Sequence, residues 1–197
     1  TLTSDVKKIP CVFVSAYGGE QTATLGELWD KIALSDLEQH VVDALRIIDA
    51  KITAISMVGG NKSVQERRAI VRSEAFARPV PLRSFGDGMN RLFGIVLSLV
   101  NAKDGLLLID EFENGLQHDA IGPIWSALGK FARDNDVQIF ATTHSYECIV
   151  AAHKAFAENA DDFAVIKLRL DPEQGIAAFV LNHADIDVAI ETEMEIR

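Results

Sequence analysis

A short aliphatic segment that runs directly into carboxylates constrains this chain more than any other feature. Residues 105–115 read GLLLIDEFENG, so four large aliphatic side chains are followed by Asp110, Glu111 and Glu113. A short, continuous apolar run of this kind is typical of strands buried inside parallel sheets. Ligands bind at the carboxyl ends of such strands, so the sequence predicts that these acids stand at a binding edge.

The two adjacent acids can take different roles. Neighbouring residues of a strand point to opposite sides, so Asp110 and Glu111 are not equivalent. One carboxylate can hold Mg²⁺, directly or through water, while the other orients a water molecule for attack on a phosphate. The alternative is a pair of solvated acids that end a strand, and this motif alone leaves both interpretations open.

Two other segments carry features of a phosphate site. In SFGDGMNR (84–91), a serine and two glycines precede a buried helix, where backbone amides and the helix dipole favour an anion. In ATTHS (141–145), an apolar strand ends at His144, which can reach the same phosphate. Taken alone, the first segment is more typical of an ordinary glycine-rich turn capped by Ser84, and the second of a capped loop histidine. The three segments together, in this order, indicate one site.

Strands alternate with helices along the chain, which predicts an α/β fold. The apolar patterns predict strands at 9–16, 52–58, 106–111 and 137–143 and helices at 25–34, 35–49, 89–102, 119–134 and 145–158. Residues 67–73 fit either a strand or a helical turn, and a hairpin is predicted around residues 171–175. Ser35 and Glu38 have the spacing of a capping box, and Ser145 is predicted to cap the helix that follows it.

Composition excludes several classes of protein. The chain has 197 residues, 48% of them hydrophobic, which is enough for one well-cored domain. Its net charge of −10 argues against nucleic-acid binding over the whole surface. One basic stretch, residues 62–83, fits either contact with DNA phosphates or a solvated strand face. No apolar run reaches the roughly 20 residues of a membrane span, and the two cysteines fit free thiols in a reducing cytoplasm.

Four motifs resemble those of a known family. SFGDG resembles the signature motif of the ATP-binding-cassette (ABC) ATPases, LLLIDE their Walker B motif, NGLQHD their D-loop and ATTHS their switch-histidine loop. The combination is similar to the SMC/RecF type, and most similar to the prokaryotic AAA family ATPases related to the OLD and Septu defence proteins. The resemblance covers about residues 80–158, and more weakly the final EMEIR.

This resemblance implies a P-loop NTPase fold of the ABC ATPase head, with a mostly parallel sheet flanked by helices. It implies that the chain binds ATP and Mg²⁺, and that Asp110 supports the Mg²⁺. Glu111 would be the general base, and His144 would contact the γ-phosphate and the attacking water.

The resemblance also implies a homodimer formed head to head through ATP. Ser84, Gly86 and Gly88 would contact the γ-phosphate of ATP held by the second subunit. Asn114 and Gln117 would lie in the D-loop at the dimer interface. Such ATPases drive a partner or gate a nuclease, so DNA processing, anti-phage defence and a partner nuclease are expectations of the same kind.

One motif of the family is not found in the sequence. Hydrolysis in this fold needs a P-loop, G-x-x-x-x-G-K-[ST], and GGNKS (59–63) departs from that pattern. We therefore expect the C-terminal part of a longer ATPase, incomplete at its N-terminus. Residues 1–83 would be the arm or helical subregion, and residues 84–197 the half with the catalytic motifs. The alternatives are a pseudo-ATPase, a non-hydrolysing interaction module, or the ATPase fragment of an OLD-type nuclease.

Overall fold

The computed structural model describes residues 9–16, 22–59, 67–171 and 175–192. Its helices and strands are, in chain order, β1 Cys11–Val14, α1 Thr22–Ile32, α2 Asp36–Leu45, β2 Ile52–Val58, β3 Arg68–Ser73, β4 Val80–Pro81, α3 Asp87–Asn101, β5 Leu106–Ile109, α4 His118–Asp134, β6 Gln138–Ala141, α5 Tyr146–Ala155, β7 Val165–Asp171, β8 Gly175–Leu181 and α6 His183–Glu191. Short 3-10 turns at Leu82–Phe85 and Ala157–Asp162 precede α3 and follow α5.

A parallel sheet in the order β1-β5-β6 carries the acids at its carboxyl edge. Leu107 of β5 lies between Val12 of β1 and Ile139 of β6 in register, and both pairings are parallel. The predicted adjacency of residues 106–111 and 137–143 is therefore confirmed, although both strands are shorter than predicted. The α/β class with a parallel sheet and flanking helices is also confirmed.

Helix α3 lies at the centre of the molecule. It contacts α1 and α2 as well as β1 and β5. Eleven of its residues are buried, including Leu92 and Phe93, because apolar side chains occupy almost every face of the helix. The same hydrophobic core contains Trp29 of α1, Val71 of β3 and Phe112 beyond β5, so residues before and after position 84 share one core.

Two antiparallel sheets lie outside the parallel one. Strands β2, β3 and β4 form a three-stranded sheet, so residues 67–73 take the strand alternative. Strands β7 and β8 pair as the predicted hairpin. Residues 60–66, which contain most of GGNKS, and the final residues 193–197 lie outside the described part. Among the described residues, no helix is both long enough and apolar enough to cross a bilayer.

The predicted capping box of α2 is half wrong. Ser35 is the N-cap, and its hydroxyl accepts a hydrogen bond from the Leu37 amide. The Glu38 carboxylate accepts from the Leu34 amide at 3.1 Å instead of from the amide of Ser35. The Ser35 amide is already engaged, because it donates to the Ile32 carbonyl at 3.0 Å. By contrast, Ser145 caps α5 as predicted, accepting from the Cys148 amide.

Candidate functional site

The carboxyl ends of β5 and β6 are joined through the side chain of Thr142. Its hydroxyl donates to Asp110 Oδ1 at 2.7 Å and accepts from the Glu111 amide at 2.9 Å. The Thr142 carbonyl accepts from the Phe112 amide at 2.9 Å. Thr142 belongs to residues 141–145, which we call the switch loop. This single residue therefore fixes both the Asp110 carboxylate and the backbone of Glu111.

Glu111 has a backbone conformation that residues other than glycine rarely adopt. Its φ is +46°, in the left-handed region, where a residue with a Cβ is disfavoured by roughly 1–2 kcal/mol. The bonds at Thr142 and Phe112 hold the chain in this turn. Strained positions that the surrounding structure over-determines cluster at functional sites, so the turn marks Glu111 as a candidate catalytic residue.

Three further hydrogen bonds join the remaining loops. The Glu113 carboxylate accepts from the His144 amide at 3.0 Å. This bond joins residues 110–115, which we call the acidic loop, to the switch loop. The Asn114 side-chain amide donates to the Ala16 carbonyl at 2.9 Å and to Glu111 Oε2 at 3.2 Å. Asn114 therefore links the loop after β1 to the Glu111 carboxylate within the chain.

Arg91, a buried cation on α3, binds backbone carbonyls at this edge of the sheet. The residue is 6% exposed, and its guanidinium donates to the carbonyls of Asp110 at 2.6 Å and Glu111 at 3.0 Å. It also donates to the carbonyl of Ser15, just beyond β1. A planar guanidinium can bind several carbonyls at once, so Arg91 fixes the ends of two neighbouring strands.

The signature-like segment packs against the D-loop-like segment. A Cβ atom built on Gly88 would lie 2.6 Å from the Gly115 carbonyl oxygen, so only glycine permits this approach. Gly86 precedes α3 with φ +96°, which also favours glycine. Ser84 is exposed in the turn before it. No hydrogen bond among the described residues links Ser84 to the acids.

The structure thus brings together most of the residues that the sequence singled out. Hydrogen bonds link Asp110, Glu111 and Asn114 through Thr142, and Glu113 of the same loop accepts from the His144 amide. Gly88 approaches this loop at Gly115. The His144 side chain is exposed, and no hydrogen bond joins it to Glu111 in the described part of the chain.

The sequence did not predict three contacts of this site: those of Arg91, those of Thr142, and the hydrogen bond that the Glu113 carboxylate accepts from the His144 amide. A signal was present for Arg91, because a lone arginine in an apolar helix needs buried partners.

The donor set fits a hard divalent cation. Asp110 offers carboxylate oxygens at the strand end, with Glu111 next to it, and Mg²⁺ prefers oxygen ligands. One oxygen of Asp110 is engaged by Thr142, which orients the carboxylate. Asp110 is half-buried, so it remains in reach of a hydrated ion. When bound, Mg²⁺ would neutralise charge on phosphate oxygens.

The sheet, its flanking helices and this carboxyl edge define a P-loop NTPase fold of the ABC/AAA ATPase type. Residues 28–149 match the family described as "AAA domain, putative AbiEii toxin, Type IV TA system". This match covers more than half of the chain, and the chain belongs to that AAA-domain family.

A relative and several solved structures are similar to the chain. The chain is 30% identical over 133 residues to the "ATP/GTP phosphatase" of Helicobacter pylori. The alignment covers 66% of this chain and 34% of the relative. The chain thus spans about a third of that relative's length.

Two SMC structures have a TM-score of 0.56 against this chain, each covering 87% of it. The first, at 7% identity and 98% coverage of the other chain, is described as "Structural biochemistry of ATP-driven dimerization and DNA stimulated activation of SMC ATPases". The second is an Smc head bound to the C-winged helix domain of ScpA, at 8% identity and 56% coverage of that chain. A Pyrococcus yayanosii Smc head gives 0.53 at 8% identity, covering 80% of this chain and 29% of that one. At these identities the likeness concerns the fold.

Proposed function

We propose that this chain supplies the signature, Walker B, D-loop and switch-histidine half of an ABC-type ATPase that hydrolyses ATP at a head-to-head dimer interface. The observation that carries the proposal is the group of Asp110, Glu111 and Thr142 at the carboxyl edge of a parallel sheet. The Thr142 hydroxyl holds the Asp110 carboxylate and the backbone of Glu111, and this arrangement suits a cation ligand beside a general base.

In this mechanism Glu111 accepts the proton of the water that attacks the γ-phosphate. Asn114 donates to Glu111 Oε2 and thereby orients the carboxylate while the other oxygen stays available. His144, exposed at the end of β6, contacts the γ-phosphate. The backbone of His144 is fixed to the acidic loop, because the Glu113 carboxylate accepts a hydrogen bond from the His144 amide. Asp110 would hold Mg²⁺.

The parallel sheet leaves a face on which a P-loop segment can be placed. Phe13, Leu108 and Phe140 lie in register across the three strands, and the two phenylalanines are 57% and 46% exposed. Strand β6 is an edge of the sheet in the described part of the chain. We propose that a P-loop-bearing segment from outside this sequence pairs with that edge and covers the apolar row.

Hydrolysis is tested on this chain joined to the P-loop segment of its parent protein. Gln keeps the shape of Glu111 but cannot take a proton, so Glu111→Gln should lower ATP turnover by roughly the 10²–10⁴-fold typical of losing a general base. ATP binding should survive. Normal turnover in Glu111→Gln would remove Glu111 as the base and promote Glu113. Absence of turnover in the unmodified joined protein would favour the pseudo-ATPase or interaction module.

The dimer is tested with the same protein by size-exclusion chromatography with ATP. Ser84 is exposed at the start of the signature-like segment, in a position to face a second subunit. The Glu111→Gln protein should accumulate as a closed dimer, and adding Ser84→Arg should return it to a monomer. A Glu111→Gln protein that stops hydrolysing ATP but stays monomeric would refute the role of Ser84 across the interface.

The chain alone gives a complementary test. Because no P-loop is found in its sequence, we expect poor ATP binding and no turnover, measured by calorimetric titration with ATP and Mg²⁺. Micromolar binding by the isolated chain would contradict this and would assign a phosphate-binding role to GGNKS.

DNA is the partner that the basic surface favours. Arg68, Arg72, Arg78 and Arg83 are exposed on β3 and the segment after it, whereas Arg67 is bound to Asp30. Exposed arginines bind DNA phosphates with an affinity that falls as salt rises. Arg68→Ala with Arg72→Ala should weaken binding and flatten its salt dependence, and unchanged binding would exclude this surface. A cytoplasmic location, the OLD/Septu-like branch, anti-phage defence and a partner nuclease are further parts of the proposal.

A further inference from the structure

A second cluster of ligand-type side chains lies between α5 and α6, apart from the acids of the ATPase site. It consists of His153 on α5 and of His183 and Asp187 on α6, and we name it the α5–α6 cluster. One donor atom from each of the three residues lies within 4.8 Å of the other two. His153 Nε2 and Asp187 Oδ1 are 2.7 Å apart, and the two imidazole rings have centroids 3.7 Å apart.

Two ring nitrogens in the α5–α6 cluster are buried without a partner. Nδ1 of His153 and Nδ1 of His183 have no hydrogen-bond partner among the described residues. His153 is only 5% exposed, so solvent does not replace the missing partner. A buried polar atom without a hydrogen bond destabilises the folded state. Two such atoms next to each other therefore indicate a ligand that binds through imidazole nitrogen.

The fold fixes the α5–α6 cluster from both helices. His183 and Asp187 are four residues apart on α6, so they lie on the same face of that helix. His153 lies four residues after Ile149 on α5, and Ile149 packs with Ile186 and Ala189 of α6 in a small separate core. Asn182 begins α6 with a capping box that uses the Asp185 side chain. The ligand set is thus held by packing and capping that do not depend on the ligand.

We propose that the α5–α6 cluster is a binding site for a divalent transition-metal ion of the Zn²⁺ class, which clips α6 to α5. Imidazole nitrogen suits Zn²⁺, whereas Mg²⁺ and Ca²⁺ prefer oxygen ligands. Two histidines and one carboxylate supply three positions of a tetrahedral ion, and water would complete the fourth. Ligands of such an ion lie about 3.3 Å from one another, so small side-chain rotations would close the cluster around it.

Ion binding explains the buried nitrogens in a way that the observed hydrogen bond does not. The bond between His153 and Asp187 uses one nitrogen of His153 and leaves its second nitrogen, and that of His183, without partners. An ion ligated by both imidazoles and by Asp187 would take the place of that hydrogen bond and would also give the His183 ring a partner. This site does not depend on the ATPase proposal.

The test uses untagged protein freed of metal by a chelator, dialysed against micromolar Zn²⁺ and measured by elemental analysis. We expect one zinc ion per chain, and a tetrahedral visible spectrum when Co²⁺ replaces Zn²⁺. His183→Gln and Asp187→Asn should each lower the affinity by at least the roughly 10–100-fold that even outer-shell changes cost. Zn²⁺ should also raise the unfolding temperature of the unmodified protein, but not that of either variant, because the ion binds the folded state.

The matched control is His118→Gln. His118 also lies beside a carboxylate, with Nδ1 3.4 Å from Asp119 Oδ1, but this exposed pair has no second histidine in the described part of the chain. Zinc binding should be unchanged in this variant. The proposal is overturned if the unmodified protein takes up no zinc, or if His183→Gln and Asp187→Asn retain it. Asp187 is exposed, so the Asp187→Asn protein should still fold. It can therefore test zinc binding even if a histidine variant is unstable.

Discussion

Thr142 donates a hydrogen bond to Asp110 Oδ1 at 2.7 Å across the ends of two parallel strands. The same hydroxyl accepts from the Glu111 amide at 2.9 Å. The carboxylate proposed as a cation ligand and the backbone of the proposed base therefore depend on one side chain of the ATTHS segment, outside the LLLIDE motif that contains both acids. Its position follows from the register of β5 and β6, in which Ile109 lies opposite Ala141.

Replacing Thr142 should disturb both acids at once. Thr142→Val keeps the shape but removes the acceptor of the Glu111 amide at an exposed position, so the free energy of unfolding should fall by roughly 0.5–1.5 kcal/mol. ATP turnover in the P-loop-containing protein should fall as well, while Thr142→Ser, which keeps the hydroxyl, should retain most of both. Chemical denaturation and a turnover assay measure the two effects. Equal behaviour of Val and Ser variants would show that the hydroxyl is not needed.

The close approach of Gly88 to Gly115 predicts different effects for two glycines of the same helix. Gly88→Ala places a Cβ 2.6 Å from a backbone oxygen, so it should destabilise the protein by about 1–3 kcal/mol, as other overpacked substitutions do. Gly94→Ala meets nothing within 4 Å, and its added helix propensity should stabilise by up to about 1 kcal/mol. Thermal unfolding compares them, and stabilisation by both changes would contradict the contact between the loops.

The ion pair between Arg67 and Asp30 should make stability depend on acid pH. Two bonds of 2.6 and 2.7 Å from the Arg67 guanidinium hold the pKa of the Asp30 carboxyl below its usual range. A lowered folded-state pKa adds stability above the ordinary carboxyl range, and this is lost as the pH falls through the lowered value. Asp30→Asn should therefore destabilise the protein at neutral pH, with the difference vanishing in acid.

The control for this pair is Glu27→Gln on the same helix, since Glu27 is exposed and has no ion pair among the described residues. This variant removes one negative charge from α1 and leaves the bond between Asp30 and Arg67 in place. Salt should reduce the Asp30 effect, because both partners are near solvent. A difference between Asp30→Asn and the unmodified protein that persists in strong acid would exclude the ion pair as its source.

The two thiols should differ in reactivity. Burial raises the pKa of the Cys148 thiol. Cys11 is exposed. Because the thiolate is the reactive form, a maleimide at neutral pH should label Cys11 quickly and Cys148 only after unfolding. The Cys11→Ser variant isolates Cys148 for mass spectrometry, and rapid labelling of that variant in the folded state would contradict the buried, protonated thiol.

Much of the fold could be predicted from local patterns. Apolar runs of strand length predicted β5 and β6, the all-round apolar pattern predicted α3, and the serine at 145 predicted the start of α5. These features depend on residues close together in the chain. The capping box at Ser35 failed because the Ser35 amide donates to the Ile32 carbonyl, which leaves Glu38 to accept from the Leu34 amide, and the S-x-x-E spacing does not encode that bond.

The sequence by itself determined which chemistry was available: carboxylates after a buried strand, glycines before a helix, and a histidine after the next strand. Only the tertiary structure decided which groups meet. Thr142 lies 32 residues from Asp110, Arg91 lies 76 residues from Ser15, and His153 lies 34 residues from Asp187. Such contacts depend on strand register and helix packing, which sum many weak interactions over the whole core, so no short motif specifies them.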